Sequence, residues 1–237
     1  MPDKHLSTQF DSELNALSAR VMALGGLVES QIRQAILALS SFDGEVARQV
    51  IATEERVNRM EVEIDRELST VIARRQPTAR DLRLLMAISK TTANLERVGD
   101  EARRIARMVE SILEKDGMVR KLPAGELGVA ADLASAQLRK VLDAFARLDT
   151  AAAVAIMKED DVLDREFDGF VRQLITCMME DPRTISSSLD LLFVAKAIER
   201  IGDHAKNIAE FIIYVVKGAD VRHSTMEQIE STVKSRG

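Results

Sequence analysis

Apolar residues recur along the chain at alternating steps of three and four. The first run is Phe10, Leu14, Leu17, Val21, Leu24, Val28, Ile32, Ala35 and Leu39. That spacing is one face of a helix, not the every-second-residue pattern of a strand. It predicts a helix over about 7–40, with Gly25-Gly26 a kink or a close helix crossing. Asp43 supplies an N-cap, and Val46, Val50, Val57, Met60, Ile64, Leu68 and Val71 carry a second helix to about residue 75. Gln76-Pro77 ends it, because the residue before proline disfavours the α region. Pro77 then sits where a first helical turn tolerates proline. A third helix over 78–115 follows from Leu84, Ile88, Leu95, Val98, Ala102, Ile105, Val109 and Ile112. The scheme then repeats, with helices over about 126–148, 150–180 and 184–216, the last two parted by Asp181-Pro182. The stretch 116–125, with two Gly and one Pro, is the expected boundary, dividing 1–117 from 118–237. Short connections make successive helices antiparallel. The expected fold is therefore all-α: two pseudo-symmetric three-helix up-down bundles. The polar tail after Lys217 is expected to be partly ordered at most.

Composition agrees with this class. Of 237 residues 46% are hydrophobic but only 3% aromatic, with no Trp, four Pro and eleven Gly. The bulk is good helix formers. A net charge of −5 argues against a dedicated nucleic-acid binder, which is usually basic. A single cysteine, Cys177, cannot form an intramolecular disulfide, which suits a cytoplasmic protein. Its place beside Leu174 and Met178 predicts an inert core thiol. There is no apolar leader at the N-terminus and no uncharged apolar run long enough to insert in a membrane.

One segment is spelled twice. Glu96-Arg97-Val98-Gly99-Asp100 returns as Glu199-Arg200-Ile201-Gly202-Asp203, 103 positions later, and Ala102, Ile105 and Ala106 return as Ala205, Ile208 and Ala209. A repeat at this distance means two copies of one domain-sized unit. Glu96 and Asp100 are four apart and share a helix face, as do Glu199 and Asp203. Both pairs lie off the apolar stripe. The second helix of each unit carries polar partners at the same spacing: Asp160 and Asp164 in one, Glu54 and Asn58 in the other, with Glu61 and Asp65 continuing the stripe. If those helices pack side by side, several oxygens face one groove.

Crowded carboxylates repel unless something positive lies between them. A hard cation is one answer. Salt bridges to Arg103, Arg104 and Lys206 are the other, and such exposed pairs are common. His204 follows Asp203 directly and points a quarter turn away. Gly99 and Gly202 cost about 1 kcal/mol each inside a helix, so another backbone is expected to approach there. Arg103, Arg104 and Arg107 form a basic patch able to meet an anion, with pairing to neighbouring acids the blander reading. No Glu-x-x-His pair, phosphate-binding loop or nucleophile elbow is present. A regulatory adaptor, a metal-free scaffold and a carboxylate metalloenzyme all remain open, and no catalytic residue is assigned.

At the doubled Glu-Arg-(Val/Ile)-Gly-Asp segment, with Arg75-Gln76-Pro77, Asp81-Leu82-Arg83 and Asp220-Val221-Arg222-His223 in support, the chain resembles the PhoU family of phosphate-transport accessory proteins. The resemblance runs from about Phe10 to His223. It implies a homodimer of doubled three-helix units with surface metal clusters, holding iron, manganese, magnesium or zinc. Carried over by position, the ligands are Glu54, Glu96 and Asp100 in one unit and Asp160, Asp164, Glu199 and Asp203 in the other. Asn58 departs from the family pattern, which has Asp there, and so implies a weaker first site. The resemblance further implies a negative regulator of phosphate uptake and starvation signalling. Its expected partners are the ATPase subunit of a phosphate ABC transporter and a phosphate-sensing histidine kinase.

Overall fold

The structure, a computed structural model, describes residues 8–115 and 122–235. Six long helices follow one another: α1 (Thr8–Ser41), α2 (Gly44–Arg75), α3 (Ala79–Glu114), α4 (Leu127–Arg147), α5 (Thr150–Glu180) and α6 (Ile185–Lys217). Single 3-10 turns at Ala124–Glu126 and Pro182–Thr184 lead into α4 and α6. Asp43 and Asp149 hold equivalent caps. Asp43 Oδ1 accepts from the amides of Glu45 and Val46 at 2.8 and 3.1 Å, and Asp149 Oδ1 from those of Ala151 and Ala152 at 3.0 Å. Each cap satisfies two of the amides that a helix start leaves without an intrahelical partner.

Within each unit all three helices pack on one another, and the apolar stripes meet as expected: Val21, Leu24, Val98, Ile105, Leu138, Val141, Ile201 and Ile208 are fully buried. The most extensive pairing in the molecule, however, joins the units. α3 lies along α6, and α1 also touches α4, so both units share one continuous core. α1 runs unbroken through Gly25-Gly26. A Cβ at Gly25 would stand 2.7–2.8 Å from the methyls of Leu142, so this glycine lets α4 cross close to α1.

The tail is partly ordered, as expected: α7 (Met226–Lys234) packs against α5 and α6, with Ile229 buried. Its start is a capping box between Thr225 and Gln228, a signal visible in the sequence as Thr-x-x-Gln. Cys177 is part-buried rather than in the core. The expected boundary at 117/118 falls in residues 116–121, outside the described residues.

Candidate metal centre

Antiparallel packing of α2 on α3 brings Glu54, Glu96 and Asp100 together. Each offers one carboxylate oxygen, and the three oxygens lie within 4.8 Å of one another. Glu54 is 5% exposed, so it is a buried acid rather than a surface one. Gln31 of α1 orients it: its Nε2 donates to Glu54 Oε2 at 3.4 Å and to the Val50 carbonyl at 3.2 Å. Glu54 Oε1 is buried without a hydrogen-bond partner. An orphaned buried carboxylate oxygen is costly unless a proton or a cation answers it.

The electrostatics agree. Burial pushes the Glu54 carboxyl up, Arg103 draws it down, and Asp100 pushes it up again. Burial, then Asp100 and Glu61, raise Glu96. Positive charge reaches this cluster from Arg97 and Arg103 of α3, and Arg97 Nε lies 3.5 Å from Glu96 Oε2. Arg103 Nη2 donates to Asp100 Oδ1 at 2.5 Å, and Arg97 Nη1 lies 3.6 Å from Asp100 Oδ2. The donor set is all oxygen, which suits a hard cation.

The second unit holds the equivalent residues differently. Asp160, 4% exposed, takes Lys206 Nζ at 2.6 Å, and Glu199 takes Lys196 Nζ at 2.7 Å. Asp164 and Asp203 stay exposed. Partial withdrawal from water, then Glu199 and Asp160, push the Asp203 carboxyl up to about 6, and burial, then Asp160 and Glu199, raise Asp164. These four acids therefore feel one another. Yet among the described residues the group of three acids with converging oxygens is the one in the first unit. Two sequence differences account for this. Asp160 is one methylene shorter than Glu54. Lysines at 196 and 206 also supply cations within the second unit, whereas Ala93, at the position equivalent to Lys196, carries no charge.

The glycines answer side chains, not a backbone as expected. A Cβ on Gly99 would meet Gln31 Oε1 and Val57 Cγ1 at 3.2 Å. On Gly202 it would overlap Leu163 Cδ2 and stand 2.9 Å from Gln137 Oε1. Gln31 and Gln137 are equivalent residues of α1 and α4, and each presses a buried, unpartnered amide oxygen against its glycine. Neither glutamine is singled out by the sequence pattern, although both occupy apolar-stripe positions where a polar residue is out of place. Glu61 also joins the first cluster, exerting its charge on Glu96. Asn58 is exposed and outside the converging group. His204 points away from the acids as expected: its Nδ1 lies 2.9 Å from Asn94 Oδ1 across the α3–α6 seam.

Fold and site together define an all-helical protein of two fused three-helix units, each carrying carboxylates on its second and third helices. The PhoU domain model matches residues 21–109 and 128–212, one match per unit. The chain belongs to the PhoU family. It is 48% identical over 229 residues to a phosphate-specific transport system accessory protein PhoU homolog of Burkholderia sp, covering 97% of both chains. It is 47% identical over 234 residues to the phosphate-specific transport system accessory protein PhoU of Escherichia coli strain K12, covering 99% of this chain and 96% of that one. The crystal structure of PhoU from Pseudomonas aeruginosa is similar with a TM-score of 0.84 at 41% identity, over 89% of this chain and all of that one. The phosphate transport system regulatory protein PhoU of Streptococcus pneumoniae has a TM-score of 0.82 at 28% identity, over 90% and 99%.

Proposed function

We propose that the chain is a cytoplasmic accessory regulator of a phosphate-specific transport system, restraining uptake and keeping starvation signalling off when phosphate is plentiful. It acts as an adaptor, not an enzyme, between the transporter's ATPase subunit and a phosphate-sensing histidine kinase, as a homodimer. Full-length similarity to relatives named accessory and regulatory proteins of phosphate transport carries this reading. Among the described residues no helix is long and apolar enough to cross a membrane, consistent with a partner of the transporter and not a part of its channel. Deleting the gene is expected to derepress phosphate-starvation genes at high phosphate; normal repression in the deletion strain would sink the reading.

The carboxylates fit a metal role as well as a salt-bridge one. Glu54, Glu96 and Asp100 would hold a hard cation, and the orphaned Glu54 oxygen favours that over bare ion pairing. In the second unit Asp160, Asp164, Glu199 and Asp203 would do so only by displacing Lys196 and Lys206. Such a metal would order the α2–α3 face rather than perform chemistry. Elemental analysis of dialysed protein, beside a Glu54→Gln, Glu96→Gln, Asp100→Asn variant, tests this. Iron, manganese, magnesium or zinc near one per chain that disappears in the variant is expected. Equal metal in both would remove the first cluster as its holder.

A further inference from the structure

A cavity of about 270 Å³ opens on the α3–α6 seam, and arginines dominate its walls. Arg97, Arg103, Arg104 and Arg107 come from α3, and Arg200 comes from α6. Among the described residues two acids line it with them, Asp100 and Glu101. Asp100 accepts Arg103 at 2.5 Å and lies 3.6 Å from Arg97. Glu101, 4% exposed, is shared: Arg104 reaches one of its oxygens at 3.2 Å and Arg200 the other at 3.1 Å. Arg107 has no ion pair among the described residues. Five permanent cations thus crowd against two carboxylates, and mutual repulsion favours an anion of two or three charges between them.

The repeat does not account for this concentration. On α6 the positions equivalent to Arg104 and Arg107 are Asn207 and Glu210, and the position equivalent to Glu101 is His204. The basic wall therefore exists on one side of the pseudo-twofold only. A cavity of this size would hold about nine waters at ~30 Å³ each, which is more room than a monatomic anion needs. Guanidinium forks match phosphate oxygens two at a time.

We propose that this cavity binds a small phosphorylated anion, inorganic diphosphate or the diphosphate of a nucleotide, in the fork of Arg104, Arg107 and Arg200. The assignment stands on the arginines alone and holds whether or not the carboxylates take metal. Calorimetric titration of chelator-dialysed protein with inorganic diphosphate, ADP and sulfate at low salt tests it. One-to-one diphosphate binding is expected, weakening steeply with added salt and at least tenfold in Arg104→Ala/Arg107→Ala. Arg59→Ala, whose side chain pairs with Glu55 on α2, should bind as the parent does. Should the double variant misfold, Arg107→Ala alone removes the unpaired side chain and should still weaken binding severalfold. ADP binding as tightly places a nucleotide in the site, and ADP failing leaves inorganic diphosphate, both within the proposal. Absence of saturable binding at millimolar ligand, equal affinity in the arginine variants, or sulfate binding as tightly as diphosphate overturns it.

Discussion

Glu54 and Asp160 stand at equivalent positions, yet Glu54 Oε1 is left without a hydrogen-bond partner while Asp160 takes Lys206 at 2.6 Å. Each lies beside a helical glycine that a glutamine covers, and the two glycines differ in how much room remains. At Gly99 an added methyl meets neighbours at 3.2 Å, and helix propensity favours alanine by about 1 kcal/mol. At Gly202 it overlaps Leu163, and overpacking costs about 1–3 kcal/mol. Gly99→Ala should therefore be close to neutral and Gly202→Ala destabilising by about 1–2 kcal/mol, by urea denaturation. Equal midpoints would refute the packing argument. Next door, Asp203 and His204 titrate with opposite sign. The folded Asp203 sits at about 6, above its ordinary value, through withdrawal from water and then Glu199 and Asp160. Its stabilising contribution is present at low pH and is lost as pH rises from about 4 through 6. His204 is pushed down to about 4 by burial, then by Arg200 and Arg97, so it stabilises at neutral pH and that is lost as pH falls from about 6.5 toward 4. In metal-free protein Asp203→Asn should gain about 1 kcal/mol at pH 7.5, the figure being modest because an exposed carboxyl is screened. The gain should vanish by pH 4. His204→Gln should show the reverse trend, its deficit relative to the parent narrowing as pH falls; parallel pH profiles in all three proteins would exclude this linkage.

The helices were legible because their periodicity is strong and their ends are written in residues with a mechanical role: Asp43 and Asp149 as caps, Pro77 and Pro182 as breaks. What the apolar pattern could not express is the α3–α6 seam. A stripe says that a helix buries one face, not which other helix it meets, and α3 packs on α1 and α2 of its own unit and on α6 of the other. The seam also holds polar groups that read as solvated charge in sequence. Glu101 is the centre of one such group, buried between Arg104 and Arg200, and burial raises its carboxyl before those two arginines lower it. Its removal leaves two half-exposed guanidinia facing each other. Glu101→Ala should cost about 1–2 kcal/mol, less than a fully buried pair because water can still reach the arginines. Glu101→Gln, which keeps the acceptor oxygen, should cost less than half of that. Urea midpoints measure both, and an unchanged midpoint for Glu101→Ala would reduce the seam pairs to surface decoration. The same blindness applies to Gln31: its place in an apolar stripe does not say that it bonds Glu54.

The two halves of the molecule share a backbone plan and differ in how they neutralise their acids. Position 103 and position 206 are equivalent in the repeat, but Arg103 turns to Asp100 on its own helix while Lys206 crosses to Asp160 on α5. Position 93 is Ala where position 196 is Lys, and Lys196 closes on Glu199 at 2.7 Å. The first half is thereby left with converging, incompletely answered oxygens, and the second with built-in ammonium groups at Asp160 and Glu199. The resemblance implied acid sites in both units with the Asn58 one the weaker; side-chain placement brings three acid oxygens together in the Asn58 half and sets lysines against Asp160 and Glu199 in the other. A cation entering the second half must first displace an ammonium from Asp160, an exchange costing about what a part-buried ion pair contributes, on the order of 1 kcal/mol. Replacing the competitors with Lys196→Ala and Lys206→Ala should therefore tighten manganese binding in the second half by about tenfold, equivalent to ~1.4 kcal/mol. Titration calorimetry on a Glu54→Gln, Glu96→Gln, Asp100→Asn background isolates that half. If the lysine variant binds manganese no better than its background, the lysines do not occupy the cation's place and the asymmetry between the halves has another origin.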